Sequence, residues 1–86
     1  MASDRKKRFG YHERFGNNMK RIREDRGYTQ KELGKKAGLS ESYISDVERS
    51  MVNISLENMV IIAENLEVDL TMLLIDMGDQ GIGICF

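Results

Sequence analysis

Along most of this chain, apolar residues return every three to four positions, and no stretch sustains the alternation of a strand. Tyr11, Phe15, Met19 and Ile22 share one helical face and predict a first helix over about residues 12–26, with Gly27 as its stop. Thr29-Gln30-Lys31-Glu32 has the form of a capping box and opens a short second helix that ends near Ala37, before Gly38. Ser40 caps a third helix of about eight residues whose inward positions are Ile44 and Val47. Residues 50–54 read as a loop. Ser55 opens a fourth helix with an apolar stripe of Leu56, Met59, Val60, Ala63 and Leu66. Asp69 opens a fifth, carrying Leu70, Leu73, Leu74 and Met77. The pattern therefore predicts an all-α fold of five short helices.

Length allows one small domain. The expected organisation is a basic arm over residues 1–10, a domain over 11–77 and a glycine-rich tail over 78–86. A content of 41% hydrophobic and 31% charged residues favours a folded chain. The net charge of −1 conceals a strong asymmetry. All 13 Lys and Arg fall in residues 1–50 beside eight acids, a net of +5, whereas residues 51–86 carry six acids and no base. A half suited to a polyanion is thus joined to an acidic one, the alternative being chance segregation of solvated charge. The one cysteine, Cys85, excludes an internal disulfide and fits a reducing cytoplasm. No signal-peptide pattern or long apolar run points to secretion or a membrane.

Gln30–Arg49 has the length of one helix-turn-helix unit. Leu33, Leu39, Ile44 and Val47 are its apolar positions, Gly34 is small where two helices cross, and Gly38 suits a turn that needs a positive φ. At these residues the sequence resembles the lambda-repressor-like (XRE or Cro-type) DNA-binding family over Phe15–Leu74. The matching segments are Tyr28–Gly34, Ala37–Ser40, Tyr43–Ser45, Val47–Arg49, Asn53–Leu56 and Ala63–Val68. The resemblance implies a compact five-helix domain with its helix-turn-helix at helices two and three. The proline-free loop Asn53-Ile54-Ser55-Leu56 is similar to that of restriction–modification controller proteins, which are small homodimeric regulators.

In such domains the third helix enters the major groove of double-stranded DNA. The resemblance therefore implies base reading by Ser40, Glu41, Ser42, Tyr43, Ser45 and Asp46, with a solvated face as the alternative for Ser45 and Asp46. It implies backbone contacts from Gln30, Lys31, Lys35, Arg49 and Asn53, and from Arg5, Lys6, Lys7 and Arg8 in the arm. Plain surface positions are the alternative for Gln30, Lys31 and Lys35. The third helix carries acids and no Arg or Lys before Arg49, so the common arginine-to-guanine contact is missing inside it. Arg23 and Glu48 occupy positions that pair as a structural ion pair in the family. A homodimer is expected through Ile61, Leu66, Val68, Leu70, Leu74 and Met77, unless these residues complete a monomer core. An activator would also touch RNA polymerase, and Glu41, Asp46 and Glu48 lie near the region that could serve.

Catalytic patterns are missing. His12 stands alone, Cys85 has no activating base beside it, and no Cys/His spacing suits zinc. No cofactor is implied, and the chain reads as a bacterial or phage regulator rather than an enzyme. The competing reading is an antitoxin that binds a partner protein and its own operator. A phage repressor is a weaker third.

Overall fold

The computed structural model describes residues 10–76. Arg5, Lys6, Lys7, Arg8 and Met77 lie outside the described residues, as does the tail over 78–86. Among the described residues there are five helices and no strand: α1 (Tyr11–Asp25), α2 (Gln30–Ala37), α3 (Glu41–Glu48), α4 (Leu56–Leu66) and α5 (Leu70–Leu74). None is long and apolar enough to cross a membrane.

The caps explain the boundaries. Thr29 Oγ1 accepts from the Glu32 amide at 3.0 Å, and Glu32 Oε1 accepts from the Thr29 amide at 2.9 Å, which closes the capping box. Ser40 and Ser55 accept in the same way from the amides of Tyr43 and Asn58. Asp69 stands at the start of α5 but makes no side-chain cap bond. Between α2 and α3, Gly38 sits at φ 72°, and the Leu39 amide reaches back to the Gly34 carbonyl at 2.8 Å.

Phe15 and Met19 of α1, Leu33 of α2, Ile44 and Val47 of α3, Ile54, Ile62, Ala63 and Leu66 around α4, and Leu73 of α5 form one buried core. The inward stripe of α4 is thus rotated from the predicted one. Ile62 is fully buried, while Leu56 and Val60 are exposed. Tyr11 also departs from expectation. It is exposed and carries Arg14 over its ring at 5.0 Å. Leu66, expected at a dimer surface, is fully buried inside the chain and so belongs to the core.

Two close approaches lock α3. A Cβ at Gly34 would lie 2.6 Å from the Leu39 carbonyl oxygen, so α2 meets the turn with no room for a side chain. A Cβ at Gly16 would lie 2.5 Å from the Val47 carbonyl oxygen, so α1 packs directly on the end of α3. Asn18, buried on α1, ties down the other end of the fold. Its Nδ2 donates to the Leu73 and Ile75 carbonyls at 3.1 and 2.8 Å, holding the close of α5.

Candidate nucleic-acid interface

The anchor of the site is a buried carboxylate. Glu48, in the last turn of α3, receives Arg23 Nε at 2.6 Å and Arg23 Nη2 at 3.1 Å. Both side chains are removed from water, with 9% and 2% exposure. Arg23 Nη1 also donates to the Tyr28 carbonyl at 2.7 Å. The hydrogen bond to Glu48 holds the Arg23 guanidinium above its ordinary pKa and outweighs the opposing effect of burial.

Gln30 completes this network. Its Nε2 donates to Glu48 Oε1 at 2.9 Å, so the first residue of α2 is fixed to the last turn of α3. No buried side-chain polar atom among the described residues lacks a partner. The engagement of Glu48 corrects one expectation. Its carboxylate is enclosed by Arg23 and Gln30 and presents nothing to RNA polymerase.

On the outer side, Gln30, Glu41, Ser42, Ser45, Asp46 and Arg49 line a shallow concavity of about 310 Å³. Positions 42, 45, 46 and 49 are spaced as one helical stripe. Four of the six expected base-reading residues therefore gather on one open edge. The other two are engaged elsewhere. The Ser40 hydroxyl caps α3. Tyr43 packs its ring against the core, and its hydroxyl accepts from Asn58 Nδ2 at 3.0 Å. Tyr43, half-buried, thus ties α3 to α4 in addition to standing in the first turn of α3.

Lys31 and Lys35 are exposed on α2, and Asn53 is exposed in the loop before α4. Arg49 donates to Asp46 Oδ1 at 2.9 Å across one turn. The acidic character of α3 is therefore smaller than its composition suggests. Of its three carboxylates, Glu48 is paired with Arg23 and Asp46 with Arg49, which leaves Glu41. Sequence reasoning did not single out Gly16, Asn18 or Asn58. Nothing about a small or amide residue within a helical period marks it as a packing site.

This arrangement defines a helix-turn-helix unit: a clamped α2–α3 pair that offers one polar edge of α3 to solvent. Residues 19–73 match the sequence model of the helix-turn-helix family HTH_3, and the chain belongs to that family of XRE-type DNA-binding transcription regulators. Antitoxin HipB of Escherichia coli O6:H1 is 39% identical over 56 residues, which are 65% of this chain and 60% of HipB. The restriction-modification controller protein C.AhdI of Aeromonas hydrophila is similar in structure, with a TM-score of 0.71 and 31% identity over 76% of this chain and 94% of its own. The biofilm master regulator SinR, solved in complex with DNA, gives 0.67 and 34% over 71% of this chain and 98% of that one. These relatives are regulators rather than enzymes. The match spans less than two thirds of the length of HipB.

Proposed function

We propose that this chain is a homodimeric, sequence-specific transcription regulator that binds a near-palindromic operator and controls its own operon. The observation that carries the reading is the clamp of Arg23, Glu48 and Gln30, which fixes α3 with its edge of Glu41, Ser42, Ser45 and Asp46 turned outward. A rigid α3 is what reading base edges requires, since misplacement of a donor by a fraction of an ångström forfeits its hydrogen bond. Lys31, Lys35 and Asn53 sit on the flanking elements as phosphate contacts, and the arm Arg5–Arg8 supplies further charge to the backbone or minor groove.

Pairing of two copies runs through α5 and its neighbours. Ile61, Val68, Leu70 and Leu74 are half-buried in the single chain, and Met72 and Ile75 beside them are exposed. A two-fold pair buries this apolar surface and presents two copies of α3 to successive major grooves. Control of a restriction–modification operon is the finer reading, supported by the match to C.AhdI over nearly that protein's whole length. The likeness to HipB favours a second reading, in which the chain is an antitoxin that also binds a partner protein.

A footprint on the DNA upstream of its own gene, taken across a salt series, tests the proposal. Protection of two symmetric half-sites about one helical turn apart supports it. Binding that is sequence-independent and vanishes with salt refutes it. Sedimentation that finds only the 9.9 kDa species, free and on DNA, refutes the dimer. Gene context separates the two readings: an endonuclease and methyltransferase alongside favour the controller, a small toxic reading frame the antitoxin.

A further inference from the structure

We infer that Asp46 and Arg49 act as a single reading unit, in which Asp46 positions the Arg49 guanidinium to recognise guanine in the major groove; this rests on the DNA-binding reading above. Four observations lead to it. First, Arg49 lines the same concavity as Gln30, Glu41, Ser42, Ser45 and Asp46, and is the one cation among them. It therefore belongs to the reading edge, although it follows the last residue of α3. Second, the backbone that carries it is closed tightly. The Arg49 amide donates to the Ser45 carbonyl at 3.0 Å, Ser50 turns at φ 60°, and the Met51 amide returns to the Asp46 carbonyl at 2.8 Å.

Third, the 2.9 Å bond to Asp46 engages one donor of a side chain that has five, so a guanidinium edge can still meet another planar acceptor. Guanine offers that acceptor pair at N7 and O6. Fourth, an isolated carboxylate at Asp46 would be repelled by the phosphates on either side of the groove. Paired with Arg49 it is neutralised, and its second oxygen can accept from a cytosine amino group. A carboxylate and an arginine held together therefore match the chemistry of G·C-containing steps. Arg49 is 64% and Asp46 37% exposed at the side chain, so this pair adds little to stability and its value lies in orientation.

The test uses the full chain and a duplex library with a randomised core. Wild-type protein is expected to select a guanine at one fixed position in each half-site. Arg49→Ala and Arg49→Lys are expected to lose that preference and keep the rest of the selected sequence. Asp46→Asn should blunt it, and Asp46→Glu should restore part of it. Replacing the selected guanine by 7-deazaguanine should weaken wild-type binding about tenfold and leave Arg49→Ala unaffected. The inference is overturned if Arg49→Ala weakens every sequence alike and lowers the salt dependence by about one ion, the signature of a phosphate contact. It is also overturned if Asp46→Asn leaves the guanine preference intact. If wild-type protein selects no sequence at all, the proposed function falls with it. Selection without any dependence on guanine removes this inference alone.

Discussion

Replacing Arg23 by alanine removes three hydrogen bonds at once. Two end on the Glu48 carboxylate, at 2.6 and 3.1 Å, and one on the Tyr28 carbonyl, at 2.7 Å. Glu48 is then a carboxylate with 2% exposure and Gln30 as its remaining side-chain partner. Breaking a buried pair from one side costs about 3–5 kcal/mol, because the surviving charge stays desolvated. A domain of this size has about 5–15 kcal/mol in total. With about 4–8 °C of melting temperature per kcal/mol, even a loss of about 3 kcal/mol lowers Tm by roughly 12–24 °C. Thermal and urea unfolding followed by circular dichroism measure this directly. The Arg23 pKa is raised in the folded state, so the stabilisation it contributes is complete below the unfolded value and is lost only as strong alkali deprotonates the guanidinium. The deficit of Arg23→Ala should accordingly stay constant across neutral and mildly alkaline pH. The double variant Arg23→Met/Glu48→Leu places apolar groups on both sides and should be more stable than Arg23→Ala, since no buried charge remains. It should still fail to read DNA, because Gln30 has lost its anchor. A Tm for Arg23→Ala within about 4 °C of wild type would refute the reasoning.

Other sites give simpler outcomes. Gly34→Ala drives a Cβ to within 2.6 Å of the Leu39 carbonyl, and the turn must move. DNA affinity in a titration should then fall further than the change in Tm alone explains. Thr29→Ala removes one arm of the capping box at the start of α2 and should cost about 0.5–2 kcal/mol in urea unfolding. Asn18→Ala leaves the Leu73 and Ile75 carbonyls without their side-chain donor, and amide exchange in α5 should accelerate while exchange in α2 and α3 changes little.

The sequence was most legible where one residue type has one physical use. Thr29 with Glu32, Ser40 and Ser55 marked helix starts, and Gly38 marked the turn, because oxygen caps and a left-handed glycine have few substitutes. The α4 face was misread because Val60, Ile61 and Ile62 are equally apolar, and only packing decides which one turns inward. The ends of α3 and α4 gave no glycine signal, since Ser50 and Glu67 take the left-handed conformation instead. The outer edge of α3 was legible as a set of polar residues, but its charge was not. That Asp46 is answered by Arg49 depends on how the chain closes after α3, and composition records only the excess of acids.

The placement of α1 gives these separate contacts a common purpose. On one side it meets the end of α3 through Gly16 and Arg23, and on the other it holds the end of α5 through Asn18. Arg14 adds a second tie from α1 to α5 by donating to the Leu74 carbonyl at 3.4 Å. Under the proposed dimer, α5 lies at the two-fold axis and α3 in the groove. The distance and angle between the two reading helices are then set in part through α1, beside a second path from α3 through the Tyr43–Asn58 bond to α4, which shares the core with α5. Half-site spacing is a geometric property of the protein as much as of the operator. Polar bonds suit this task better than apolar contacts, because they fix direction as well as distance. A buried arginine, a buried asparagine and a glycine with no room for a side chain therefore recur along the helix that joins the proposed reading edge to the proposed pairing surface.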